Sequence, residues 1–490
     1  MPLAAAVLVF ACGGDDATPS TDEVGEAAET GADAETETGT ESETDTEPEP
    51  DLPTEPERGS LFSPAEAVDL DPAPDVVHVE LTAAPHSFEI AGEMVDGWAY
   101  NGQVPGPTIR MRRGDALVVD FHNDLEDPTT VHWHGLHVPF EMDGVTWQGA
   151  PVEPGGDFVY TFTLDQAGTY WYHPHVDTER QADLGLYGVL IVEDPDEPVA
   201  DRELVVVFDS WGEHDADSEA GGHHGLDGAD LTWTTNGLID PLFEANAGES
   251  IRLRAVNVAN AGYVDLTWTT GGEPGVRQIA SDQGLLPELV EAPSVVLAPS
   301  DRADFEWLVG PDFAGLEVLN QPYSLLGAPS QGEPLRLFEV ELAEGGTGEP
   351  APGPLAWPFD GLEPTPDPGA GVTDVLYAFH GDPHTGDWTI NGELFPDITI
   401  ESLSLGAWSV VELRNVSQAA HPFHLHGHAF EVLSVDGEPP PWRIVEDTFD
   451  VPPYATARLG LLPDNPGDWM AHCHILPHVE GGMMTVLRVE

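Results

Sequence analysis

From about residue 70 onward, apolar and polar positions alternate in short runs broken by glycine, proline and asparagine. Three runs share one pattern: Gly114 to Asn123, Gly248 to Asn257 and Gly406 to Asn415 each open on glycine, alternate, and close on asparagine. A period of two sends successive side chains to opposite faces, so each run predicts a sandwich strand with one buried face. Each is preceded by a second shared motif, in Trp98-Ala-Tyr-Asn-Gly102, Trp233-Thr-Thr-Asn-Gly237 and Trp388-Thr-Ile-Asn-Gly392. The motif and the strand recur together three times, which predicts three homologous β-sandwich domains near 70–198, 199–350 and 370–490. The Pro- and Gly-rich stretch 348–370 reads as the connection into the third. Helix formers are scarce and Val, Thr and Trp fill the body, so the expected class is all-β.

Charge sharpens this picture. Among 490 residues, 89 Asp and Glu face 15 basic residues, all of them Arg, for a formal net charge of −74. Phosphate recognition needs cations that release counterions, so a nucleic-acid binder is excluded. Docking on anionic lipid heads is disfavoured for the same reason. Residues 13–59 hold 17 acids and one Arg with almost no apolar side chains, and predict a disordered tether. Outside it, 72 acids face 14 Arg, so the body repels itself at low ionic strength and is expected to be salt-tolerant.

The two cysteines sit in unlike settings. Cys12 ends the apolar run Val9-Phe10-Ala11-Cys12, and residues 1–12 resemble a short bacterial lipoprotein signal, although the basic start that export signals carry is missing. The expectation is export to the periplasm or cell surface with a lipid anchor at Cys12, or otherwise secretion.

Chemistry enters where the three repeats differ. The first domain has His132-Trp-His134-Gly135 and, near its end, His173-Pro-His175; the third has His424-Leu-His426-Gly427 and His472-Cys473-His474. The middle domain has no such pair in either place. On a strand, residues i and i+2 face one side, so each pair converges on one point. A pseudo-twofold meeting of the first and third domains would gather all eight imidazoles. Alternation puts Cys473 on the face opposite His472 and His474, with His421, His478 and Met483 as its candidate companions. Two His, one Cys and a weak axial Met form the ligand set of an electron-transfer blue copper site. Adjacent Met484 leaves the axial residue open, and a buried apolar thiol and a core methionine are the plain alternatives.

These residues resemble the four copper signatures of the three-domain multicopper oxidases, the laccase-like bacterial type, over roughly residues 75–490. The resemblance implies three consecutive cupredoxin-like Greek-key β-sandwich domains and four copper ions. It implies type 1 copper at His421, Cys473, His478 and Met483, type 2 copper at His132 and His424, and a type 3 pair at His134, His173, His175, His426, His472 and His474. It further implies one-electron oxidation of a small reductant at the type 1 site and four-electron reduction of O2 to water at the cluster. Cys473 with His472 and His474 then forms the electron path. Oxygen reduction consumes protons, and Asp143, in Met142-Asp143-Gly144, stands where the family carries a proton relay; taken alone it is a turn aspartate before glycine. The acid that many bacterial relatives carry just after the last type 1 histidine is replaced here by Val479, with Glu480 one residue on.

An axial Met favours easily oxidised reductants, so phenols or aromatic amines lead, with oxidation of a metal ion (ferrous or cuprous) by the same family as the alternative. A copper-storage protein and a copper-free scaffold are opposed by the full ligand set. His428 reads as a core residue, His214, His223 and His224 as a solvated insertion, and Glu446 and Asp447 as solvated acids at a strand end.

Overall fold

The computed structural model describes residues 63–212, 231–270, 275–310, 313, 315–324, 328–329, 332–343, 364–369, 371–382 and 387–490. The signal-like start, the acidic stretch 13–59, the loop with His214, His223 and His224, and most of the 348–370 connection lie outside the described residues.

The Trp-containing repeats form the outer strands Glu93–Tyr100, Thr232–Thr235 and Asp387–Ile390. Each ends in an Asn-Gly turn with positive φ at both residues (53° and 72°, 53° and 77°, 56° and 75°), the conformation that joins twisted antiparallel strands. In each turn the asparagine side chain is bound to the neighbouring strand; Asn101 Oδ1 accepts from the Thr82 amide and Asn391 Oδ1 from the Ala378 amide. The three glycine-opened runs become Ala116–Asn123, Ser250–Asn257 and Ser409–Asn415. Each pairs in parallel with the strand that begins its own sandwich, Val76–Ile90, Arg202–Trp211 or Val375–Asp382.

Within the compact unit Pro56–Glu490, the larger sheets stand in three consecutive pairs: two four-stranded sheets, then a six- and a five-stranded sheet, then again a six and a five. Each pair closes on its own apolar core. The first is built on Leu81, Val119, Phe121, Tyr172 and Leu190, the second on Val206, Phe208, Ile251, Phe305 and Val318, the third on Phe379, Leu413, Phe423, Leu459 and Trp469. Full burial of each such side chain stabilises the fold by about 1.5–3 kcal/mol. The architecture is the all-β, cupredoxin-like Greek-key sandwich repeated three times. Among the described residues no helix is long and apolar enough to cross a membrane.

Two strand pairs set the site. In the first sandwich His132–His134 lies antiparallel to Gly168–His173, with His132 opposite His173. In the third, His421–Leu425 lies antiparallel to Gly467–Cys473, with His424 opposite His472 and Phe423 opposite Cys473. The same ladder thus recurs in the two sandwiches that carry the histidine pairs.

Candidate metal centre

The eight paired histidines are all buried and meet ring against ring across the two sandwiches. His132 stacks on His426 with centroids 3.9 Å apart, and His134 on His424 at 3.7 Å. His175 lies 5.4 Å from His472, and His173 lies 5.5 Å from His474. Ligand atoms within 4.8 Å of one another group as His132, His424 and His426; His132, His134 and His173; and His175, His426 and His472.

Hydrogen bonds fix the tautomers. A carbonyl oxygen only accepts, so a ring nitrogen bound to one must carry the proton. The Nδ1–H of His132 donates to the Asp143 carbonyl at 2.9 Å, that of His173 to Pro174, that of His424 to Asp447 and that of His472 to Cys473. His426 Nδ1–H donates to the Asp143 carboxylate at 2.9 Å. Each of these rings therefore turns an Nε2 lone pair inward. His134 is reversed: its Nε2 meets Asp447 Oδ1 and Thr448 Oγ1, both at 3.1 Å, which leaves Nδ1 inward.

His132 Nε2, His134 Nδ1, His173 Nε2, His424 Nε2 and both nitrogens of His474 have no protein hydrogen-bond partner. His426 Nε2 and His472 Nε2 face each other at 3.0 Å with a lone pair each. Buried polar atoms without partners are costly, and facing lone pairs repel. Burial first, and then the neighbouring imidazoles, push His173, His175, His426, His472 and His474 well below the usual histidine range, which closes protonation as a remedy. A metal bound by neutral imidazole nitrogens answers these demands at one nitrogen of each ring and leaves over only the second nitrogen of His474. The residues fit a multinuclear copper cluster.

On the opposite face of the strand, Cys473 Sγ lies 3.6 Å from His421 Nδ1 and 3.4 Å from His478 Nδ1. Burial pushes the Cys473 thiol up, so a thiolate here requires a cation to hold it. The Cys473 amide donates to the Met483 carbonyl, and the Met483 side chain is buried in the core that holds Cys473. Met484 packs instead against the small cluster of Met470 and Val486, so of the two methionines Met483 is the one in the core of Cys473. His421 Nε2 meets Ser417 Oγ at 2.7 Å, and the Trp388 indole stacks flat on His478, with centroids 3.6 Å apart and planes 25° off parallel.

Asp143 is fully buried and touches one histidine from each sandwich, His132 through its carbonyl and His426 through Oδ2, while Oδ1 has no hydrogen-bond partner. Glu480 turns away to the backbone N–H groups of Thr178 and Glu179. His428 is buried beside the Asn465 amide, and burial pushes it down to about 4.

One expectation is corrected. Glu446 and Asp447 are not solvated strand-end acids: Asp447 is fully buried, and burial drives Glu446 well above the usual carboxylate range. The segment Val445–Val451 is an edge of the third sandwich that the middle sandwich covers, with Arg302, Asp282 and Gln283 packed on it. Asp447, Arg302 and Trp388 are the site residues that pattern and spacing missed. The signal for Trp388 was present in the repeated tryptophan; nothing local distinguishes Arg302 from the other arginines.

Family profiles described as multicopper oxidase match residues 82–197 and 368–490, the segments that carry the histidine pairs. The chain is 30% identical to multicopper oxidase MmcO of Mycobacterium tuberculosis, over 84% of this chain and 86% of that protein. Its fold is similar to a multi-copper oxidase from Pseudomonas thermotolerans (31% identity, TM-score 0.69, 85% of this chain and 99% of the other). It is likewise similar to a laccase from Pediococcus acidilactici (27% identity, TM-score 0.74, 88% and 93%).

Proposed function

The chain belongs to the multicopper oxidase family, and from that premise we propose that it couples one-electron oxidation of a phenol or aromatic amine to four-electron reduction of O2 to water. The observation that carries this reading is the set of inward lone pairs contributed by the first and third sandwiches around one buried space, with the His421–Cys473–His478 triad on the other side of the same strand. In this reading type 1 copper is held by His421, Cys473, His478 and Met483, type 2 copper by His132 and His424, and the type 3 pair by His134, His173, His175, His426, His472 and His474. Bound copper supplies electron acceptance at the thiolate site and the reduction of O2 at the cluster.

The chain's own residues do the rest. Trp388 and Ser417 hold the two imidazoles beside Cys473 in fixed planes. Cys473 is bonded through the backbone to His472 and His474, the shortest covalent route from one site to the other. Asp143, buried between His132 of the first sandwich and His426 of the third, is the carboxylate placed to relay protons to oxygen reduction. The Met483 side chain, buried in the core that holds Cys473, supports an easily oxidised reductant such as a phenol. The strongly acidic composition favours the second reading, oxidation of a cationic metal ion by the same centre.

The test is O2 uptake by the copper-loaded full chain with a phenol, an aromatic amine and Fe2+ at equal concentration. Faster uptake with the organic reductants supports the first reading, and faster uptake with Fe2+ the second. Asp143→Asn is expected to lower turnover about 100-fold or more at saturating reductant while leaving the thiolate colour intact; unchanged turnover would remove Asp143 from the proton route. We further propose that Cys12 anchors the exported protein through lipid and that the acidic stretch 13–59 spaces the body from the membrane. A Cys12→Ser chain that stays in the membrane fraction would contradict this.

A further inference from the structure

The middle sandwich supplies none of the histidine pairs, yet it reaches the cluster through one buried cation. Arg302, at the start of the strand Arg302–Leu308, is fully buried, and its guanidinium touches all three sandwiches. Nε donates to the Thr169 carbonyl of the first at 3.0 Å. Nη1 and Nη2 donate to the Ser300 and Asp282 carbonyls of its own sandwich at 3.2 and 3.0 Å. Both Nη atoms also grip the Asp447 carboxylate of the third, Nη1 to Oδ1 at 2.9 Å and Nη2 to Oδ2. Gln283, again from the middle sandwich, adds a bond from Nε2 to Asp447 Oδ2 at 2.6 Å.

The glycine of the first histidine signature makes room for this grip. Gly135 has φ +83°, and a Cβ there would collide with Asp447 Oδ2 and lie 2.7 Å from Arg302 Nη2. Its carbonyl accepts a bond from Gln283 at 2.9 Å. The signature thus carries a residue whose missing side chain serves the middle sandwich.

Asp447 stands where this grip matters. Its Oδ1 receives His134 Nε2 at 3.1 Å and Thr448 Oγ1 at 3.0 Å, and its carbonyl receives His424 Nδ1 at 3.0 Å. His134 is the ring whose tautomer is reversed relative to His132, His173, His424, His426 and His472. A carboxylate free to turn about its side-chain torsion would not dictate that reversal; one clamped in plane by a bidentate guanidinium does.

We propose that Arg302 is a positioning residue of the copper cluster: through Asp447 it fixes the plane that presents Nδ1 of His134, and the middle sandwich thereby sets the geometry of a cluster to which it gives no ligand. The inference rests on the multicopper reading above. Lysine at 302 would keep the charge but lose the planar fork, so the conservative variant separates orientation from charge.

The experiment compares wild type, Arg302→Lys and Arg458→Lys as full chains. Arg458 is a control of the same kind, a buried arginine paired with Glu412 and Asp367 in the third sandwich. Each metal-free protein is melted to verify folding and then titrated with cuprous and cupric ion against a competing chelator, following thiolate colour and total bound copper. The expected result for Arg302→Lys is a normal thiolate colour with cluster copper bound about 10–100-fold more weakly, and no such loss in Arg458→Lys. Arg302→Lys with cluster affinity within twofold of wild type would overturn the proposal, as would an equal loss in Arg458→Lys. A wild-type chain that takes up no copper would instead overturn the function on which the proposal rests.

Discussion

At the scale of single residues, the site is governed by what holds the outer edge of each imidazole. Four of the ring protons are committed to backbone carbonyls and two to carboxylates, so for these six rings the nitrogen turned to the shared space is set by the protein alone. Trp388 plays a related part at the thiolate site by lying flat on His478. The electron-rich indole face stabilises the more positive, oxidised state of a liganded imidazole. Trp388→Leu should therefore raise the reduction potential of the thiolate site by about 20–60 mV, measured by redox titration of its colour. An unchanged or lower potential would contradict that role. The histidine pairs were legible in the sequence because period-two alternation assigns faces without knowledge of the fold, and the Cys473 companions because His478 and Met483 follow it at short spacing, on a helix and a turn that alternation does not describe. Asp447 and Arg302 were not, because their burial is created by a neighbouring sandwich, and no local pattern records what a distant segment will cover.

At the scale of elements, the middle sandwich is stitched by buried ions as well as by its core. Arg252 and Arg254, on the strand Ser250–Asn257, both converge on Asp304 of the antiparallel neighbour, with Nη–Oδ2 distances of 2.6 and 3.0 Å. Removing Asp304 leaves two buried guanidinium groups short of a partner. Asp304→Ala should cost about 3–5 kcal/mol in denaturant unfolding, against little for a surface pair such as Arg180 with Asp127. The seam between the second and third sandwiches carries a different device. Tyr263 donates to Asp450 at 2.9 Å, and burial pushes Asp450 up to about 7. A carboxyl whose folded value exceeds its unfolded one stabilises the fold fully below the unfolded value, and that contribution disappears as pH rises through the folded value. The metal-free protein should thus lose part of its stability between about pH 4 and pH 7, and Asp450→Asn should flatten that slope. An identical pH dependence in the variant would show that Asp450 is not the group responsible. The strands were easy to foresee from the threefold repeat, whereas this seam was not: Asp450 and Tyr263 lie 187 positions apart.

At the scale of the whole molecule, three sandwiches of one design divide the work. The first and third face each other with histidines, and the second locks them together through Arg302 and Gln283. The surplus of acid in the composition is expected to repel itself, and salt to relieve that repulsion, since the screening length falls to about 3 Å at 1 M. The melting temperature should rise between low and molar NaCl; a value unchanged or lower would contradict self-repulsion as a limit on stability. Composition made this expectation legible at once, because net charge needs no fold. The assignment of copper to both faces of the Gly467–Cys473 strand is tested most directly by one spectrum. Wild type and Cys473→Ser, loaded with copper as full chains, are compared for visible absorption and bound copper. The copper assignment predicts an intense blue thiolate band in wild type, its disappearance in Cys473→Ser, and retention of the cluster copper in the variant. A wild-type chain that binds copper without the band, or a variant that keeps the band, would contradict it.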